Sequence, residues 1–311
     1  MIAFGPVPSR RLGRSLGINN IPPKTCSYSC VYCQLGRTTP MRVERRAFYE
    51  PQQVFAAVSA KVKEAAQSGA SVDYLTFVPD GEPTLDISLG AEIALLRALN
   101  LPIAVITNSS LIWRQDVREE LAQADWVSLK VDAVRDEPWR QVDRPHGSLR
   151  MEAILQGMLE FAAMYQGTLV TETMLVEGLN DSVESVQEIA AFLALLRPSR
   201  AYLSIPTRPP AESWVRAPAE AVLNRAYQQL SAKVKHVEYL IGYEGNAFAF
   251  TGDVEQDLLS ITSVHPMRED AVDAFLRRAG ADWGIIHSLI GQLKLVATRY
   301  EGKTFYMRKL R

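Results

Sequence analysis

The chain has three cysteines, and all of them fall in one run, Cys26-Ser-Tyr-Ser-Cys30-Val-Tyr-Cys33. An odd, clustered set makes no disulfide framework, so in a reducing compartment it points to a metal. Three thiolates at C-x3-C-x2-C spacing suit a [4Fe-4S] cluster, where they bind three irons and leave the fourth open. A structural zinc site needs four protein ligands, and no second cysteine pair exists; His146, His236, His265 or His287 would have to complete it. The third reading is that structural thiols cluster there by chance.

Further polar residues have types suited to holding a ligand. Asp80-Gly-Glu-Pro-Thr84 combines two carboxylates with a glycine that lets backbones approach closely, although Asp-Gly and Pro also make plain turns. Asn108, in Thr107-Asn108-Ser109, offers both a donor and an acceptor, and the same tripeptide also serves as ordinary strand-exit chemistry. Ser128, Lys130 and Asp132 share one face if their segment is a strand, where they hold either a ligand or a salt bridge. Arg144 and Arg208 suit an anionic group held bidentately, and each equally suits a solvated loop. Glu172 is the stronger candidate on that side, because an inward carboxylate without a partner is costly. Arg10, Arg11 and Arg14 form a basic run that suits either phosphate or salt bridges.

Alternating elements position these residues. Apolar runs at Tyr74–Val78, Ile103–Thr107, Trp126–Val131, Thr168–Val176, Ala201–Ile205 and Val237–Ile241 read as strands, with another near Leu16–Ile21. Helical periods at Pro51–Gln67, Leu149–Tyr165, Ser182–Leu196 and Pro218–Lys233 separate several of them. Strand-helix repetition predicts an α/β fold with six or seven parallel strands, in a partly closed barrel or an open sheet. The site segments follow strands, which places them at the carboxyl ends where ligands bind in such sheets.

The order changes after a strand-like stretch, Gly245–Gly252. A helix over Asp253–Ile261, a Pro266-led helix to Arg278, a turn at Gly280, a helix over Trp283–Gln292 and strands Leu293–Thr298 and Lys303–Arg308 follow. This is a winged-helix order. From His265 to Arg311 there are nine Lys/Arg and five Asp/Glu, so the tail carries net positive charge while the whole chain carries -1. The tail reads as a substrate-recognition module or as a cap over the barrel end. A chain of 311 residues with 47% hydrophobic and 22% charged residues builds a globular core. Prolines stand where a signal peptide needs an apolar stretch, and no apolar run approaches a membrane span, so a cytoplasmic protein without membrane partners is expected.

The cysteine loop after the first parallel strand, with aromatic Tyr32 before the last cysteine, resembles the signature of the radical S-adenosylmethionine (SAM) superfamily. Asp80-Gly81-Glu82-Pro83 resembles that family's Gly-Gly-Glu motif, with Asp80 in place of the first glycine. Thr107-Asn108-Ser109 resembles its ribose-binding segment, and Lys130 and Asp132 lie where members place a polar SAM ligand. The resemblance covers about residues 10 to 250. It implies a partial parallel (β/α)6 barrel, a [4Fe-4S] cluster on Cys26, Cys30 and Cys33, and SAM contacts at Tyr32, Gly81, Glu82, Asn108, Lys130 and Asp132. SAM would chelate the open iron through its amino and carboxylate groups. Glu82 or carbonyls beside Gly81 would accept from the ammonium, and Lys130 would pair with the carboxylate.

The run Gly5-Pro-Val-Pro-Ser-Arg-Arg-Leu-Gly-Arg14 and the Leu16-Gly-Ile-Asn19 that follows resemble the subgroup of the tRNA wyosine-base synthases. Those enzymes use additional cysteines for a second cluster and a Schiff-base lysine, whereas here all three cysteines are assigned already. The expectation is therefore a radical SAM barrel over residues 1–252 followed by a winged-helix-like unit over 253–311. Its implied reaction is cleavage of SAM to a 5′-deoxyadenosyl radical that abstracts hydrogen from RNA or from a protein or peptide. Arg144, Glu172 and Arg208 are the candidate substrate residues, and a flavodoxin- or ferredoxin-like electron donor is implied. The alternatives are small-molecule metabolism with the tail as a lid, and a zinc-containing nucleic-acid-binding protein.

Overall fold

The computed structural model describes residues 1–241, 253–264, 266–300 and 302–309. It begins with a hairpin, β1 (Ala3–Ser9) and β2 (Gly13–Ile18). Alternation follows: α1 (Pro51–Gln67), β3 (Tyr74–Phe77), α2 (Leu89–Leu96), β4 (Ile103–Thr107), α3 (Gln115–Leu121) and β5 (Trp126–Lys130). Then come α4 (Asp136–Val142), α5 (Met151–Met164), β6 (Thr168–Met174), α6 (Val183–Leu196), β7 (Arg200–Ser204), α7 (Glu220–Ser231) and β8 (Val237–Leu240). Strands β2 to β8 pair in parallel and in sequence order, while β1 joins antiparallel to β2. β1 and β8 stand at the two ends of the sheet, so the barrel is partial. No helix among the described residues is long and apolar enough to cross a membrane.

Alternation along the strands builds two interiors. Ile103, Val105, Val127, Leu129, Ala201 and Leu203 face the helices and belong to the main core. Their neighbours Ala104, Trp126, Val170 and Tyr202 face the other way and close on Leu12. Further along the same inner face stand Thr76, Ser128, Lys130, Glu172 and Ser204. The barrel lumen is thus apolar at its amino end and polar at its carboxyl end.

The segment 1–14, noted in the sequence for its basic run Arg10, Arg11 and Arg14, also holds β1. Pro6 and Pro8 argue against an interior strand, and this is an edge strand, where the missing N–H groups cost no ladder bond. Its turn folds inward: Leu12 is buried, and the guanidinium of Arg11 lies between the Trp126 and Tyr202 rings at 6.0 and 5.9 Å.

The tail comprises α8 (Val254–Val264), β9 (Met267–Arg268), α9 (Glu269–Ala279), α10 (Gly284–Gly291), β10 (Leu295–Tyr300) and β11 (Lys303–Arg308). Its antiparallel sheet runs β10-β11-β9, completing the winged-helix order. One expectation is corrected. No helix follows Pro266 directly, because Met267 and Arg268 pair with Tyr306 and Phe305, and α9 opens afterwards at acidic Glu269 and Asp270. Gly280 ends α9 at φ 65°, a left-handed conformation that suits glycine. Leu258, Leu259 and Ile261 of α8 share a core with Phe275, Ile286 and Leu295, and Val7 of β1 packs against it. The strand expected at Gly245–Gly252 and the candidate zinc ligand His265 lie outside the described residues.

Candidate active site

The cysteine loop leaves β2 at Ile18 and is fixed by backbone bonds on several sides. Ser29 N–H donates to the Asp143 and Arg144 carbonyls, Val31 N–H to Val142 (2.9 Å) and His146 N–H to Ser27 (2.9 Å). The Tyr28 hydroxyl accepts from the Trp139 indole at 3.1 Å. The β3 loop closes the other flank, where Glu82 N–H donates to the Thr25 carbonyl at 3.0 Å. These bonds place Cys26, Cys30 and Cys33 together on the wall of a cavity of about 350 Å³ at the carboxyl ends of the strands.

Across that cavity stand Lys130, Glu172, Met174 and Ser204 from β5, β6 and β7, with Pro206, Thr207 and Arg208 from the following loop. A second cavity of about 340 Å³ shares Arg11, Tyr32, Gly81, Lys130, Glu172 and Arg208, and reaches Thr76, Asn108 and Ser128. The two are lobes of one polar lumen.

Glu172 organises the lumen. Its carboxylate accepts from Lys130 Nζ at 3.1 Å, from the Ser204 hydroxyl at 3.1 Å and from the Arg11 guanidinium. Burial opposes the charge, but Lys130 and Arg11 outweigh it and hold the carboxyl well below the usual range. Lys130 is likewise opposed by burial, yet Asp132 and Glu172 raise its ammonium, which lies over the Tyr32 ring at 5.0 Å. The Tyr32 hydroxyl donates to Asp132 and also reaches Asp143 at 3.2 Å. Asp143 accepts in turn from the Cys30 thiol at 3.4 Å.

The thiols are held in their neutral form. Burial, aided by Glu82, pushes Cys26 up to about 12; burial and Asp143 raise Cys30, and burial raises Cys33 against the pull of Lys24. Iron held by these thiols would displace those protons, so metal binding at this loop would release acid. Among the described residues, no three His, Cys, Asp or Glu side chains converge where one metal ion would sit. Three thiols that each take a different iron need no such convergence, and the shared cavity leaves room for a cluster.

The residues singled out in the sequence separate into groups. Tyr32, Gly81, Lys130, Glu172 and Arg208 line the lumen, and Arg208 donates to Gln34 at 2.7 Å. Asn108 lines the second lobe, with its amide donating to Ser27 Oγ at 3.0 Å and reaching the Cys26 sulfur at 3.5 Å. Asp132 lies behind the wall, with Oδ1 accepting from Met174 N–H at 2.7 Å. Glu82 lies inside the protein. It accepts from the Thr84 and Thr107 hydroxyls, both at 2.6 Å, and from the N–H groups of Thr84 at 3.1 Å and Asn108 at 2.7 Å. Its carboxylate thereby ties the β3 loop to the end of β4. Arg144 faces away from both lobes and pairs with buried Glu212. Sequence reasoning missed Lys24 as a lining residue and offered Arg11 only for phosphate or a salt bridge, the second of which it makes with Glu172. Arg11 had a basic-turn signal, but nothing local shows that the turn folds inward.

A family model described as the Radical SAM superfamily matches residues 20–193. The chain belongs to the radical SAM superfamily. The match spans the cysteine loop and the strands β3 to β6, which supply part of the lumen wall. Over the whole chain it is 46% identical, across 313 aligned residues, to the UPF0026 protein MJ1312 of Methanocaldococcus jannaschii, covering 100% of this chain and 97% of that one. Its fold resembles a radical SAM methyltransferase from Sphaerobacter thermophilus, with TM-score 0.53 and 16% identity over 73% of this chain and 66% of that one. It also resembles TYW1 with a lysine-pyruvate adduct bound, with TM-score 0.52 and 15% identity over 71% of this chain and 74% of that one. As a radical SAM protein it is an enzyme, and membership implies SAM and an iron–sulfur cluster. Membership shows a radical SAM enzyme in place of the non-enzymatic nucleic-acid-binding alternative.

Proposed function

We propose that this radical SAM enzyme holds a [4Fe-4S] cluster on Cys26, Cys30 and Cys33 and binds SAM in the lumen they face. The observation that carries this reading is the single cavity shared by all three thiols and by Lys130, Glu172 and Gly81. Cys26, Cys30 and Cys33 would hold the cluster, which would supply the electron for reductive cleavage of SAM and so the means of hydrogen abstraction from the substrate. The protein's own residues bind and shield. Tyr32 presents its ring to the lumen, with its hydroxyl held by Asp132. Asn108, its side chain tied to Ser27 and Ser110, borders the second lobe on the ribose side, and carbonyls beside Gly81 accept from the ammonium, since the Glu82 carboxylate is already filled by internal donors. Lys130 directs positive charge at the SAM carboxylate while Glu172 fixes its position.

On the substrate side, Arg208 and Glu172 line the lumen, and the substrate is RNA or a protein or peptide engaged through the positively charged tail. In this reading residues 1–252 form the barrel unit, residues 253–311 the recognition unit, and the enzyme is cytoplasmic. The Tyr300 hydroxyl donates to the Pro206 carbonyl at 3.1 Å, so the tail buttresses the loop that lines the cavity. That contact favours the second reading, in which the tail is a lid over a small-molecule site.

The test is anaerobic reconstitution followed by incubation with SAM and dithionite. About four iron and four sulfide per chain, with release of 5′-deoxyadenosine, are expected, and both are lost in Cys26→Ala, Cys30→Ala and Cys33→Ala. Stoichiometric zinc with no iron uptake overturns the reading. Mass spectrometry of RNA and protein that co-purify then separates a macromolecular from a small substrate.

A further inference from the structure

Residues 37–46 continue the cysteine loop and wrap its outer side. Thr38 N–H donates to Ser29 Oγ at 3.0 Å, Arg42 N–H to the Cys26 carbonyl at 2.9 Å and Arg46 N–H to the Leu85 carbonyl at 3.0 Å. Arg37, Arg42 and Arg46 are exposed along this wrap, with Glu44 the exposed acid among them. Arg45 alone turns inward, to Asp116 and Glu120. At one end Arg37, with its side chain 67% exposed, shares the Glu212 carboxylate with Arg144, so two guanidiniums meet one acid and positive charge remains. None of these exposed arginines lines either lobe of the lumen.

We propose that this arginine collar is the docking surface for an acidic one-electron carrier protein of flavodoxin or ferredoxin type. The inference rests on the proposed cluster on Cys26, Cys30 and Cys33. An electron delivered there must enter without a protein occupying the substrate's place in the lumen. The collar meets that need, since the Arg42 backbone is one hydrogen bond from the Cys26 backbone. A rim of like charge steers an oppositely charged partner and sets its register, adding more to the encounter rate than to buried contact. The carrier gives up one electron and is oxidised, the cluster is reduced by one, and no bond is made or broken at the surface. A nucleic-acid substrate fits the collar less well, because its reacting group must enter the lumen from which these side chains are turned away.

The experiment compares the reconstituted protein with the double variant Arg42→Glu/Arg46→Glu and its charge-keeping control Arg42→Lys/Arg46→Lys. The probe is a flavodoxin of net negative charge, fluorescently labelled for binding by anisotropy and, separately, reduced to drive 5′-deoxyadenosine release. Charge reversal is expected to weaken binding and raise the KM for flavodoxin, each by about tenfold or more, and to flatten the salt dependence. Dithionite-driven release stays unchanged, and the lysine control stays near the unaltered protein. Unchanged flavodoxin binding overturns the proposal, as does an equal loss with dithionite, which assigns the arginines to loop structure. Unchanged flavodoxin kinetics with lost binding of transfer RNA in a filter assay overturns it in favour of nucleic acid. If the unaltered protein releases nothing with dithionite, the SAM-cleavage reading itself fails and the collar's role with it.

Discussion

Gly81 and Thr25 approach so closely that a Cβ on Gly81 would lie 1.9 Å from the Thr25 carbonyl oxygen. The glycine of the Asp-Gly-Glu-Pro segment therefore serves this chain's own backbone, by letting the cysteine loop dock on the β3 loop. Gly81→Ala is expected to push the loop outward, at a cost of about 1–3 kcal/mol. Iron bound per chain after reconstitution should fall along with Tm. Full iron uptake at an unchanged Tm would show that the two loops yield freely.

Glu82 acts by position. Removing its carboxylate strands the Thr84 and Thr107 hydroxyls and the Asn108 N–H inside the protein. Glu82→Ala should cost about 2–4 kcal/mol in urea unfolding even without iron or SAM. A loss of SAM affinity alone, at full stability, would instead make Glu82 a direct ligand.

Breaking the Lys130–Glu172–Arg11 set leaves charge uncompensated in the lumen. Glu172→Gln should destabilise by about 3 kcal/mol, because two half-buried cations lose their shared acid. In the cycle with Lys130→Met, the double variant should recover part of that loss. Simple additivity in denaturant melts would mean that the two side chains do not couple.

Glu92 sits on α2 with its carboxyl buried and the Asn20 side chain beside it. Burial and nearby Asp86 push its carboxyl up to about 8, from an ordinary 4.5. The folded state then binds a proton that the unfolded state releases, so stability falls as pH rises from about 4.5 through about 8. Glu92→Gln should remove that loss, raising Tm at pH 9 and changing it little at pH 5. Parallel Tm curves against pH for the two proteins would refute the assignment.

Tyr300 links the tail to the lumen through its bond to Pro206. Tyr300→Phe should cost about 1 kcal/mol and raise the substrate KM while leaving uncoupled SAM cleavage unchanged. An unaltered KM would separate the tail from the cavity mouth. A truncation meant to isolate the barrel should start at residue 253, because α8 contributes Leu258, Leu259 and Ile261 to the tail's core.

Spacing alone made the cysteine loop legible, since three thiols in eight residues restrict the chemistry before any fold is known. The parallel strands were legible for a related reason: runs such as Ile103–Thr107 are apolar on both faces and mark a buried sheet. Helices α2, α3 and α4 were harder to place, because each is only 7 or 8 residues long and shows too few turns to declare a period. β1 was obscured by its own prolines, which exclude an interior strand but not an edge one.

What the tertiary structure decided is which way polar side chains point and what reaches them. Arg11 and Glu172 are 161 positions apart in sequence and meet only because the hairpin turn folds into the barrel. Glu82, Asp80 and Gly81 read alike as members of a ligand turn, yet one carboxylate is filled by donors from Thr84, Thr107 and Asn108, while burial lifts the other to about 7 at the cavity wall. Local sequence determines residue chemistry and the period of each element. A side chain's partners come from strands joined by long crossovers, so their identity depends on contacts that the residues nearby in sequence do not specify.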